Sequence, residues 1–315
     1  MKKITREPKN LSFLVDGKIE PKISIKPGEI LMVETERADL MYLNRENPVF
    51  LDHADVMKVG ANPVTGPIYV EGAEKGDKLA VTVHDIVLGE DKTEAYCTYV
   101  PGQGVFGNAF YPGLDYPPCT QWFDVSGENL RFNFSGKEFA LPVTPFIGTI
   151  CVAPAERVAL AYTFGKDILG NVDCGWIRKG SEIVMPVNQS GALLSVGDLH
   201  AAQGAGELLG CAIETRGYAV ISVRLIKAEE EYCFDWPQVN TDKFIGSVGC
   251  IENSLEAAVR HAVYDLIKRV EWQCKISFME AYMLLGECVE IDICQFTDSL
   301  RSALAKLDRK YLVKN

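Results

Sequence analysis

Ala219-Val220-Ile221-Ser222-Val223-Arg224-Leu225-Ile226 decides how the rest of the chain is read. Its aliphatic and β-branched residues, broken by Ser222 and Arg224 and preceded by the turn pair Arg216-Gly217, have the length and composition of a strand rather than a helix. A similar run lies earlier, at Leu79-Ala80-Val81-Thr82-Val83. Laying Ala80–Val83 over Val220–Val223 also brings Gly66–Glu74 over Gly206–Glu214 and Glu74 over Glu214. Further out, Ile25-Lys-Pro-Gly-Glu-Ile-Leu-Met-Val33 falls on Ile177-Arg-Lys-Gly-Ser-Glu-Ile-Val-Met185. The sequence therefore predicts two copies of one β unit, with the seam between them as the natural place for a site.

Ile30–Glu34, Ile68–Val70, Ile183–Met185 and Ala192–Val196 supply further strands, and Pro27-Gly28 and Lys75-Gly76-Asp77 supply turns. The expected fold is mainly β (α+β), an internally duplicated β-sandwich-like core with C-terminal helices. The core is placed at 1–240, with repeat-like units near 19–90 and 171–227, and 241–315 is expected to be a helical segment packed on it. Asn253-Ser254-Leu255-Glu256 can cap a helix whose apolar positions Leu255, Ala258, Val259, Ala262, Val263, Leu266 and Ile267 follow the 3.6-residue period. His261 falls toward its polar side and is read as solvated. Ser277-Phe-Met-Glu280 is a second capping box, and Thr297-Asp298 is read as opening a third helix.

With 47% hydrophobic and 24% charged residues, the composition is that of a folded globular protein. A net charge of −11 disfavours a nucleic acid or an anionic membrane as partner, since both require a cationic face. No apolar stretch approaches the ~20 residues needed to cross a bilayer, and the N-terminal residues lack a signal-peptide core, so a cytoplasmic location is expected. The ten cysteines show no C-x-x-C pair or framework spacing and read as reduced, mostly buried thiols.

The densest candidate for chemistry runs from Ser195 to Glu214. It holds Asp198, His200, Gln203, Glu207 and Glu214, with glycines at 197, 204, 206 and 210 that let backbone approach a ligand. Asp198 and His200, two apart after a strand, would project to one side as a carboxylate and imidazole pair suited to a borderline metal. The bland alternative is a Gly-rich connection whose Asp and His cap backbone. Gly170-Asn171-Val172-Asp173 is a second cluster that also reads as a turn, and Asp52-His53-Ala54-Asp55 a third that reads as an exposed polar turn. Gly102-Gln-Gly-Val-Phe-Gly107 matches the dinucleotide fingerprint in letters only, because no βαβ unit follows it. The chain has neither a Walker loop nor a G-x-S-x-G elbow.

The run Gly197-Asp-Leu-His-Ala-Ala-Gln-Gly-Ala-Gly-Glu207 resembles the most specific motif of the acetamidase/formamidase family. Asn62–Glu74, Pro101–Gly107, Gly170–Asp173 and Glu280–Met283 follow in family order across nearly the whole chain. The resemblance implies a homo-oligomer, a dimer or higher, that hydrolyses a short linear amide, such as formamide or acetamide, to a carboxylate and ammonia. It also implies a divalent metal ion, zinc or alternatively calcium, held by Asp173, Asp198 and His200. Asn171 and Gln203 would orient substrate, and Glu207 and Glu214 would act as acid/base carboxylates. Two positions depart from the family pattern: Ile168-Leu169 stand where His-Gly is usual, and Ala205 where Asp is usual. Loss of an imidazole and a carboxylate leaves a second reading open, a catalytically impaired member that binds a metal or small molecule or serves assembly.

Overall fold

In the computed structural model, which describes residues 1–89, 94–107, 116–228, 235–297 and 300–312, the fold-deciding stretch is the third strand of a nine-stranded sheet. The elements that matter for the site begin with β1 (Ile30–Thr35), β2 (Val64–Val70), β3 (Lys78–Leu88), β4 (Phe146–Cys151), β5 (Leu169–Asn171) and β6 (Glu182–Pro186). They continue with β7 (Leu194–His200), β8 (Glu214–Thr215), β9 (Gly217–Ile226), β10 (Phe244–Glu252), β11 (Glu290–Thr297) and β12 (Leu300–Asp308). The helices are α1 (His53–Val59), α2 (Leu255–Cys274) and α3 (Phe278–Cys288).

The strand register carries the duplication. β3 and β9 run antiparallel with Ser222 opposite Thr82, Val223 opposite Val81 and Ile221 opposite Val83. Thr82 and Ser222 are equivalent positions of the two copies, so a local two-fold axis passes between them. The flanking strands obey the same axis: β1 sets Ile30 opposite Ser222, and β6 sets the equivalent Glu182 opposite Thr82. Gly28 N–H donates to the Val223 carbonyl just as Gly180 N–H donates to the Val83 carbonyl. The chemistry does not follow the backbone symmetry, because Glu74 is exposed whereas its counterpart Glu214 is buried.

Alternation then builds the core. Leu31, Val33, Leu79, Val81, Val83, Ile183, Ala219, Ile221 and Val223 project inward from this sheet. They pack against Ile68, Ile147, Ile150, Leu194, Val196 and Leu199 of a second, ten-stranded sheet. Each such aliphatic side chain removed from water contributes about 1.5–3 kcal/mol, which makes the sandwich the main source of stability.

α2 and α3 cover the C-terminal end of the first sheet through Ala262, Leu266, Ile267, Val270, Ala281 and Leu285, which pack on Ile245, Ala305 and Leu307. Ser254 caps α2 by accepting from Ala257 N–H, and Ser277 and Glu280 form the expected capping box of α3. The rest of 241–315 differs from a helical segment. β10, β11 and β12 are strands of the nine-stranded sheet, and among the described residues no α-helix follows Thr297. Asp298 lies outside the described residues. Ala303, Leu304, Ala305 and Lys306 favour a helix by intrinsic propensity, but β12 is paired along its length with β10 on one edge and with β11 on the other. Tertiary pairing overrides the local preference.

Three local expectations also change. β7 runs through to His200 rather than ending at Val196. Asp52 is the N-cap of α1, accepting from Asp55 N–H, so Asp52–Asp55 is a helix start rather than a free turn. His261 is half-buried and stacks on Trp236 at 4.6 Å rather than standing in solvent. The nine described cysteines are all free thiols and Cys233 lies outside the described residues. Among the described residues no helix is long and apolar enough to cross a membrane.

Candidate functional site

β4 is buried along its whole length, with β5 on one side and β7 on the other. Ile147 faces Leu199 and Thr149 faces Gly197, which puts Gly148 across from Asp198. Asp198 has φ +57°, outside the pleat, and Asn62, Asp173 and Glu207 also adopt positive φ, at +55°, +47° and +49°. Asn and Asp tolerate this region; Glu does so at a cost, and such conformations persist where surrounding structure fixes them for a purpose. A side chain at 148 has no room: a Cβ there would stand 2.6 Å from Asp198 Oδ2, 2.7 Å from Asp173 Oδ1 and 2.8 Å from His200 Cε1.

His200 ends β7, opposite Phe146 of β4 and Glu214 of β8. Its ring packs edge-on against Phe146 at 4.8 Å. Nε2 lies 3.3 Å from Asp198 Oδ1 and 3.2 Å from Glu214 Oε1, while Nδ1 is 4.0 Å from Asp173 Oδ1. The carboxylates are anchored from behind. Asp173 Oδ2 accepts from Asn171 Nδ2 at 2.9 Å and Gln295 Nε2 at 2.6 Å, and Asp198 Oδ2 accepts from Asn62 Nδ2 at 2.9 Å and Thr149 Oγ1 at 3.3 Å. Glu214 Oε1 accepts from Ala212 N–H at 3.1 Å, and Gln295 Nε2 also reaches Glu207 Oε2 at 3.4 Å. Asp173 Oδ1, Glu214 Oε2 and His200 Nδ1 are buried without a hydrogen bond, and Asp198 Oδ1 has only the His200 ring beside it.

Buried polar atoms left unpaired are costly unless something else satisfies them. Asp173, Asp198 and His200 form one group able to hold a cation, and His200, Glu207 and Glu214 form a second that shares the histidine. Tetrahedral coordination at ~2.1 Å sets ligand atoms ~3.4 Å apart, close to the spacings around His200 Nε2. The residues fit a divalent ion, with Asp173, Asp198 and His200 as one donor set and His200, Glu207 and Glu214 as another.

The electrostatics agree with that fit. Burial, reinforced by Glu207 and Asp198, holds the Asp173 carboxyl well above its ordinary value. Burial pushes Glu207 up to about 8, with Glu214 and Asp198 adding to the rise, and it raises Glu214 as well. Burial opposes charge on His200, yet Glu214 and Asp198 hold its imidazole well above the usual histidine range. Burial and mutual repulsion thus penalise charge on Asp173, Glu207 and Glu214, a cost that a bound cation relieves.

Not every expected site residue faces outward. Asn171 lines the cavity over the cluster, but its amide donates to Asp173 and accepts from Asn62 and Thr149. Gln203 gives Nε2 to the backbone carbonyls of Asp173 and Cys294, at 2.9 and 3.1 Å. Both amides fix the Asp173 loop. Asn62, Gly148, Thr149 and Gln295 join the site beside the residues expected there, and His53 and Gln103 meet at the cavity wall.

Neither departure from the family pattern falls among these groups. Ile168 is fully buried with Val15, Val64, Cys151, Ala153 and Leu193, and Ala205 is exposed on the turn before Glu207. Ile168→His should therefore destabilise by about 2–3 kcal/mol, since it buries an imidazole among apolar groups, without raising activity. Ala205→Asp should change stability by less than ~0.5 kcal/mol. Denaturant unfolding of both variants, alongside turnover, measures this; a gain of activity in either would place the position in the site after all.

Known proteins resemble the chain throughout its length. The profile described as the Acetamidase/Formamidase family matches residues 3–160 and 151–299. A formamidase of Methylophilus methylotrophus is 48% identical over 221 residues, covering 56% of this chain and 54% of that protein. An acetamidase of Mycolicibacterium smegmatis is 28% identical over 261 residues, covering 66% and 64%. The chain thus spans 54% and 64% of the length of these two relatives. A solved acetamidase of Bacillus halodurans superposes with a TM-score of 0.87 at 29% identity, over 98% of either chain. With this agreement of profile, relatives and fold, the chain belongs to the acetamidase/formamidase family.

Proposed function

We propose that the protein is an amidohydrolase that cleaves the C–N bond of a carboxamide to a carboxylate and ammonia, with a divalent cation, zinc or calcium, in the buried cluster. Relatives named acetamidase and formamidase support the reaction class. The observation that carries the reading is the convergence of Asp173, Asp198, His200, Glu207 and Glu214, with unpaired atoms on Asp173, His200 and Glu214, in a region where Asp198, Glu207 and Glu214 open on a cavity.

Asp173, Asp198 and His200 would hold the ion, with Glu214 3.2 Å from His200 Nε2, and Asn171, Gln203 and Gln295 would keep these ligands in register. The bound cation supplies polarisation of the amide carbonyl and acidification of water. Glu207, buried and with its proton held up to about 8, is the group suited to accept a proton from water and pass it to the departing nitrogen. Gln295 Nε2, 3.4 Å from its Oε2, links it to Asp173.

Glu207→Gln keeps the shape and removes the proton carrier. Turnover of acetamide should fall by roughly 10²–10⁴-fold with cation content nearly unchanged. Ammonia release measured beside metal analysis distinguishes the outcomes: full turnover removes Glu207 from the reaction, and loss of the ion makes it a ligand instead.

A further inference from the structure

The cavity over the cluster has a volume of about 600 Å³. Acetamide, with four heavy atoms, needs on the order of 100 Å³ if a water takes about 30 Å³. Pockets of several hundred Å³ are typical of ligands well above acetamide in size. Part of the wall is polar, from Asn171, Asp198, Glu207, Glu214 and Gln295, and another part is apolar, from Phe50, Val56, Met57, Tyr96 and Val100.

The apolar part is one packed surface. Phe50, Tyr96 and Val100 form a buried cluster with Leu43, and Val56 and Cys211 pack on it. This surface leads to the donor groups, because Tyr96 is the strand partner of Glu214 and the Cys211 thiol lies 3.8 Å from Glu214 Oε1. No lysine or arginine is among the described residues that line the cavity. Asp39, also on the wall, has both oxygens held by Arg37, at 2.6 and 2.7 Å. Among the described residues a substrate carboxylate would meet no lysine or arginine along this wall, and an apolar group would meet a preformed surface.

From this wall, and resting on the amide-hydrolysis reading, we infer that the preferred substrate is a neutral carboxamide bearing an apolar, ring-sized group, larger than formamide or acetamide. The amide sits at the donor cluster and the ring lies on Phe50, Val56 and Val100. Hydrolysis breaks the C–N bond, water supplies the oxygen of the new carboxylate, and the nitrogen leaves protonated. Burying the ring adds binding that acetamide lacks.

The test is a comparison of kcat/KM for acetamide, phenylacetamide, N-benzylacetamide and succinamate with purified protein. Phenylacetamide or N-benzylacetamide should exceed acetamide at least tenfold, and succinamate should fall below it. Val56→Phe and Met57→Trp, both on α1, narrow the apolar end. In either variant that folds, the ratio of ring-bearing amide to acetamide should drop at least tenfold, mainly through KM. Turnover of acetamide with no gain for either ring-bearing amide overturns this inference and leaves the hydrolase reading standing. Inertness toward all four overturns the hydrolase reading. Calorimetric binding then decides the inference alone: tighter binding of phenylacetamide than of acetamide supports it, and equal or weaker binding overturns it.

Discussion

Gly148→Ala should reduce turnover about a hundredfold or more while the protein still folds. The added methyl group would stand 2.6–2.8 Å from Asp198 Oδ2, Asp173 Oδ1 and His200 Cε1, closer than real Cβ contacts come. These neighbours cannot yield freely, because Asn62, Thr149, Asn171 and Gln295 hold the two carboxylates from behind. Overpacking of this kind costs about 1–3 kcal/mol, and displacement of reacting groups by ~1 Å can cost about a hundredfold in rate. Gly148 is not among the residues at positive φ, so the effect would be steric rather than conformational. Gly286→Ala on α3, with nothing within 4 Å of its added Cβ, is the matched control and should leave turnover alone. Activity and thermal unfolding of the two variants, measured side by side, check the expectation. Wild-type activity in Gly148→Ala would mean that the cluster can open without consequence.

Gly148 also marks the limit of what the sequence discloses. A glycine inside Phe146-Ile147-Gly148-Thr149-Ile150 signals close approach in a strand, but the approaching groups come from residues 173, 198 and 200, and only the pairing of β4 with β5 and β7 unites them. The strands around Val81 and Ile221 are legible because alternation and β-branching are local, and the dyad through Thr82 and Ser222 follows from aligning them. Asp198 and His200 are legible because two residues along a strand share a face. Glu214 lies in the same motif, yet its place against the ring depends on the β7–β8 register. Gln295 is hidden differently: it lies on β11, in a C-terminal stretch where helix-favouring residues of β12 mask a strand pair. The expected substrate-orienting roles of Asn171 and Gln203 assume free amides, and nothing along the chain tells that these amides are bonded to Asn62, Asp173 and Cys294.

Removal and return of the cation tests the account most directly. The ion would neutralise a cluster in which burial raises the proton affinity of Asp173, Glu207 and Glu214 and leaves several oxygens unpaired. Binding must expel those protons, so retention should strengthen as pH rises toward about 8, where burial puts Glu207, and weaken below it. Several kcal/mol of charge stabilisation leave with the ion, and each 1.36 kcal/mol is tenfold in rate. Protein stripped by a chelator at lower pH should therefore release ammonia from acetamide or phenylacetamide at least about a hundredfold more slowly. Adding back zinc or calcium should restore the rate in proportion to the ion bound, and His200→Ala should neither bind it nor recover. Full turnover by the stripped protein, or equal recovery by His200→Ala, would contradict the claim that this buried cluster is the cation-dependent centre of amide hydrolysis.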